Sequence, residues 1–93
     1  MRILKEKMFR IEFSNRSKKF LKKCEDSLYE RLMVKIKSLK ENPFPQDAKR
    51  VVGQREKIFR IRVGKCRIEY VVFHERNLIF ISDVDNRPRV YNK

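Results

Sequence analysis

Apolar and polar positions alternate through MFRIEFS, residues 8–14, where Phe9, Ile11 and Phe13 are set against Arg10 and Glu12. A period of two predicts a half-buried strand. The period then lengthens. Ser14 or Asn15 is placed to cap a short helix through about Lys23, to which Phe20 and Leu21 bring the apolar contribution. Leu28, Leu32, Ile36 and Leu39 recur at intervals of four, four and three. That is the stripe of a second, longer helix, flanked by Tyr29 and Met33 and capped by Asp26 or Ser27. Asn42-Pro43-Phe44-Pro45 ends it, because proline disfavours helix in the residue before it.

The short period returns in the second half. KRVVG, 49–53, reads as a short strand or an extended loop. Residues 57–63 and 66–73 flank Gly64-Lys65, a two-residue turn with glycine first, which is the type II′ hairpin signal. The register this sets places Val63 opposite Cys66, Arg62 opposite Arg67, Ile61 opposite Ile68, Arg60 opposite Glu69 and Phe59 opposite Tyr70. Side chains alternate across a strand. One face of the hairpin then carries Phe59, Ile61, Val63, Cys66, Ile68 and Tyr70, and the other Arg60, Arg62, Arg67 and Glu69. HERN, 74–77, is a turn, and 78–84 is a further strand that should pair with 66–73. A basic lead-in, 1–7, precedes these elements, and a polar tail, 85–93, follows them. The expected architecture is a single α+β domain over 1–93. Two N-terminal helices pack on one face of a small, mainly antiparallel twisted sheet and leave the arginine face open.

Composition sharpens this picture. Apolar residues make up 41% of the chain, enough for one modest core. The formal net charge is +13, from 25 Lys and Arg against 12 Asp and Glu. Such self-repulsion points to a polyanionic partner, nucleic acid ahead of an acidic protein, with a membrane surface third. The start is interrupted by charge throughout, unlike a signal peptide, and no run approaches transmembrane length. Cys24 and Cys66 form no CxxC pair, so the expectation is a cytoplasmic protein with free thiols. With His74 as the single histidine, neither a His-pair nuclease nor a His-based metal site can be built. Asp83 and Asp85 lack an evident third ligand, so no metal is expected. Cys66 falls on the packed side, where a free thiol is an inert hydrophobe. RSKKFLKK, 16–23, is a solvated helix face that could also meet nucleic-acid phosphates.

The candidate chemistry lies on the hairpin. Like charges facing each other destabilise a sheet, so Arg60, Arg62 and Arg67 together call for an anionic ligand. Guanidinium holds its charge at any accessible pH and binds phosphate bidentately. It can also stabilise charge that develops on a phosphodiester during cleavage. Arg87, Arg89 and Tyr91 follow the last strand, which can return them near Arg67, and Lys49 and Arg50 can add to the rim. The plainer reading pairs Glu69 with Arg60 and lets Arg62 and Arg67 splay into water.

The order KRVVG…IFRIRVGKCRIEYVVF…LIFISDVDNRPRVY resembles the RelE/ParE toxin superfamily, specifically its RelE-like ribosome-dependent ribonuclease branch. The resemblance spans nearly the whole chain. It rests most on the R-x-R-x-G-x-x-R-I-x-Y hairpin with the closing R-x-x-x-Y. It implies a type II toxin that cleaves mRNA in the ribosomal decoding site and is held by a cognate RelB-like antitoxin. The implied reaction is metal-free attack of a ribose 2′-hydroxyl on the adjacent phosphate, with no small-molecule cofactor. By the same resemblance Arg60, Arg62, Arg67, Arg87 and Tyr91 serve catalysis. Lys49 and Arg50 on the rim and Arg89 in the tail, by their placement, are with Arg60 the expected RNA contacts.

The chain also departs from the family. It has Arg60 and Arg62 where relatives often have lysine, Cys66 where an aromatic residue is common, and Asp85-Asn86 where some use histidine. Arginine cannot serve as a base, which leaves Tyr91, Glu69, Asp83 and Asp85 as alternatives. Two other functions fit the same resemblance: a non-catalytic RNA-, ribosome- or antitoxin-binding module, and a ParE-like inhibitor of DNA gyrase.

Overall fold

The computed structural model describes residues 8–51, 53 and 57–86; the expected lead-in and Arg87, Arg89 and Tyr91 lie outside the described residues. Strand β1 (Arg10–Phe13) leads into helices α1 (Asn15–Lys23) and α2 (Asp26–Ser38). Strands β2 (Lys49–Arg50), β3 (Ile58–Val63), β4 (Cys66–Phe73) and β5 (Leu78–Asn86) follow. They form one five-stranded sheet in the order β1-β5-β4-β3-β2. The fold is α+β, as expected.

Pairing from β2 to β5 is antiparallel, whereas β1 lies parallel to β5, with Arg10 beside Leu78 and Phe13 beside Ile81. A parallel pair needs a long crossover. Everything between β1 and β5 supplies it here. The HERN turn is a 3-10 turn at His74–Arg76, closed by Asn77 at φ 54. Asparagine tolerates that left-handed backbone, and its Nδ2 donates to the Met8 carbonyl oxygen at 2.8 Å.

Ser14 caps α1 by accepting from the Ser17 N–H at 3.1 Å. The cap of α2 differs from the one expected. Glu25 holds that position with no side-chain bond. Asp26 stands in the first turn, where its charge favours the positive end of the helix dipole. The helix stops at Ser38, ahead of the proline segment, in which Asn42 Oδ1 accepts from the Phe44 N–H at 3.2 Å.

The α2 stripe buries Leu32 and Ile36 completely, with Leu39 just beyond, against Ile61, Ile68, Tyr70, Ile79, Ile81 and Val84 of the sheet. Tyr70 is fully enclosed and donates its hydroxyl to the Pro43 carbonyl oxygen at 2.7 Å, which ties the proline segment to β4. Burial, and then the charge of Asp47, push its phenol up to about 12. Asp47 itself hydrogen-bonds Lys35 at 3.0 Å, which lowers its own carboxyl pKa.

One irregularity in β5 shapes the open side. Tyr70 faces Ile81 but Glu69 faces Asp83, so Ser82 is an extra residue, a β-bulge. It sits where the β1 pairing ends. Ser17, fully buried, donates to the Ile81 carbonyl oxygen at 3.1 Å, and Ser14 Oγ donates to that of Ser82 at 2.9 Å. The start of α1 is thereby fastened onto the bulge. The bulge shifts the alternation of β5 by one, so that Val84 turns to the core and Asp83 and Asp85 turn to the open face.

Candidate nucleic-acid interface

The β3–β4 hairpin has the register read from its turn, with Arg62 opposite Arg67 and Arg60 opposite Glu69. Gly64 has φ +59 and Lys65 is not among the positive-φ residues, which is the type II′ geometry. A flexible side chain also lies close against that position. The Arg31 guanidinium of α2 covers the turn, and a Cβ on Gly64 would lie 2.6 Å from its Nη2.

Two rows of charge cross the open face at the hairpin end of the sheet. One runs Lys49, Arg60, Glu69, Asp83 from β2 to β5. The other runs Arg62, Arg67, Asp85 from β3 to β5. Directly opposed Cβ atoms in such ladders lie about 4.5–5.5 Å apart. Arg62 is exposed, and Arg60, Arg67 and Glu69 are half-buried. Beyond these rows the same face turns apolar, with Ile58, Val71 and Phe80 side by side.

Among the described residues, no ion pair or hydrogen bond reaches the side chains of Arg60, Arg62, Arg67 or Glu69. The internal Glu69–Arg60 pair allowed by the sequence is not formed. Asp83, in contrast, is held by Arg16 of α1 at 3.7 Å. The cluster therefore presents guanidiniums without internal partners beside a carboxylate without one.

Other candidates separate from this patch. Arg50 pairs with Phe59 and so projects toward the helix-side face, while Lys49 shares the face of Arg60. Cys66 is buried, and burial pushes its thiol up, with Cys24 adding to the shift and Arg31 opposing it. A neutral thiol is no nucleophile. His74 stands just past the far end of β4 and packs its ring between Phe9, at 6.0 Å, and Phe44, at 5.8 Å. The exposed Lys18, Lys19, Lys22 and Lys23 of α1 line an open groove of about 1390 Å³ against Asp83–Asn86 of β5. Asp83 and Asp85, named with Glu69 as carboxylate alternatives, lie directly opposite Glu69 and Arg67, a register not assigned from the sequence. The signal was the change of apolar parity from Ile79 and Ile81 to Val84, which marks a bulge.

The family described as the ParE toxin of type II toxin-antitoxin systems, parDE, matches residues 11–91. A RelE1 protein of Methanocaldococcus jannaschii is 35% identical over 86 residues, covering 89% of this chain and 94% of that one. This chain is a RelE-like toxin of the RelE/ParE superfamily. Solved RelE folds agree with that of the toxin. The RelE–RelB complex of Pyrococcus horikoshii superposes with a TM-score of 0.77 at 23% identity, over 89% of this chain and 99% of that one. The RelBE complex of E. coli does so with 0.76 at 23% identity, over 87% and 99%. The chain is thus a toxin of a type II toxin-antitoxin system, with its most cationic sheet positions on the face that its helices leave bare.

Proposed function

We propose that this toxin is a ribosome-dependent mRNA endoribonuclease that halts translation. It would act in the cytoplasm and be restrained by a RelB-like antitoxin. The observation that carries the reading is the set of Arg60, Arg62 and Arg67, placed on one open face by the hairpin register and free of ion pairs among the described residues. Opposed guanidiniums cost stability, and an RNA phosphate is the ligand that returns it. In this reading Arg62 and Arg67 grip the scissile phosphate and stabilise its added negative charge, while Arg60 and Lys49 hold the strand beside it. Arg87 and Tyr91 complete the catalytic set, as the family resemblance implies, and Arg89, from its place in the same tail, adds to the RNA contacts. Arg50, on the opposite face, meets RNA only at the sheet margin.

The reaction is transesterification. The 2′-hydroxyl loses its proton and attacks the adjacent phosphorus, the bond to the 5′-oxygen breaks, and that oxygen takes up a proton. The products are a 2′,3′-cyclic phosphate and a 5′-hydroxyl.

The test is a translating extract supplied with the toxin alone or with its antitoxin. The expected result is mRNA cut within codons only when the toxin is free. Translation arrest with uncut mRNA would instead establish a binding module. The match to the family described as the ParE toxin favours one further reading, the ParE-like inhibition of DNA gyrase that the resemblance also allows. A supercoiling assay with the same preparation decides it.

A further inference from the structure

The geometry points to Glu69 as the general base of that cleavage, an assignment that rests on the nuclease reading above. The reaction needs a group that accepts the 2′-hydroxyl proton within hydrogen-bond reach of the gripped phosphate. Arginine cannot do this. Of the carboxylates on the open face, Asp83 is engaged by Arg16 at 3.7 Å, and Asp85 has an interaction of its own. Glu69 differs. Among the described residues its carboxylate takes part in no ion pair or hydrogen bond, although it is half-buried within the charged rows.

Its position fits the task. Glu69 lies directly opposite Arg60 on β3, diagonal to Arg62, and on the same face as Arg67 two residues earlier in β4. The ladder that aims the guanidiniums at a phosphate therefore sets the carboxylate beside the neighbouring ribose. Two fixtures hold it there. The Glu69 carbonyl oxygen accepts from Ser82 Oγ at 3.2 Å, and Ile68 and Tyr70, its neighbours in β4, are fully buried. Asp83 faces Glu69 from β5, and pairing Asp83 with Arg16 keeps the two carboxylates from competing for the same guanidiniums. In the step itself a Glu69 carboxylate oxygen takes the 2′-hydroxyl proton as the 2′-oxygen bonds to phosphorus. The electron pair of the breaking bond leaves with the 5′-oxygen, which gains a proton from solvent.

The test uses the full-length toxin in a translating extract, with Glu69→Gln and Glu69→Ala. Glu69→Gln keeps the shape and loses the base. It should slow single-turnover cleavage by about 10²–10⁴-fold while co-sedimentation with ribosomes stays as in wild type. Formate added to Glu69→Ala should restore part of the rate, and should do nothing for Arg67→Ala. Circular dichroism melts confirm that each variant is folded. Glu69→Gln cutting as fast as wild type, losing ribosome binding in step with cleavage, or Glu69→Ala failing to respond to formate overturns the assignment. Wild-type toxin that leaves mRNA uncut overturns the nuclease reading as well. Wild-type cutting with a dispensable Glu69 removes this assignment alone.

Discussion

Ile61 and Ile68 face each other across β3 and β4 on the helix-covered side of the sheet; one position along, Arg62 and Arg67 do the same on the open side. The two isoleucines are 1% and 0% exposed. Burying each side chain contributes about 1.5–3 kcal/mol. The arginine pair works the other way, since like charges directly opposed cost about 0.2–1 kcal/mol. The same two strands thus hold a pair that makes the fold and a pair the fold must tolerate. Stability is built on one face, which leaves the other free to carry a concentration of charge. Ile68 and Glu69, adjacent in β4, divide the same way.

Substitutions that break this contrast should differ in kind. Ile68→Ala, on the covered side, should lower unfolding free energy by about 2–5 kcal/mol in urea titration. Gly64→Ala strikes the turn that fixes both pairs. It forces a side chain to a positive φ and into the Arg31 guanidinium, and should cost about 1–2 kcal/mol by the same assay. Tyr70→Phe removes one buried hydrogen bond, to Pro43, and should cost about 1 kcal/mol.

Tyr70 also gives the covered side a signature in pH. The folded protein holds this phenol protonated up to about 12. An unfolded tyrosine ionises near ~10. The stabilisation is therefore complete below the lower value and is lost as pH rises between the two. Alkaline melts should show the loss in wild type, and Tyr70→Phe should lack its share of it. The smallest effect belongs to the open side. Arg62→Gln relieves an opposed charge and should leave stability unchanged or raise it by about 0.2–1 kcal/mol in thermal melts.

Local pattern carried most of this molecule into view. The alternation of β1, the stripe of α2 and the Gly64 turn each lie within a short window. Arg60, Arg62, Arg67 and Glu69 could therefore be placed on one face before any coordinates. What stayed hidden depends on contacts between distant segments. Nothing in residues 8–14 announces a parallel partner at 78–81. Arg16 and Asp83 meet only because α1 is fastened to the bulge by Ser14 and Ser17. Arg31 over Gly64 likewise needs α2 laid against the hairpin. The bulge itself was legible in the shift from Ile81 to Val84, and reading it would have placed Asp83 and Asp85 within the charged rows. Arg50 required the β2–β3 register, which two residues of strand cannot declare.

The division of labour between the two faces is tested most directly by measuring mRNA cleavage and unfolding free energy together on Arg67→Ala. The expected result is cleavage reduced by about 10²–10³-fold, as for loss of a group stabilising a charged transition state, with urea stability at or slightly above that of wild type. Cleavage that persists, or activity and stability that fall together, would contradict the account.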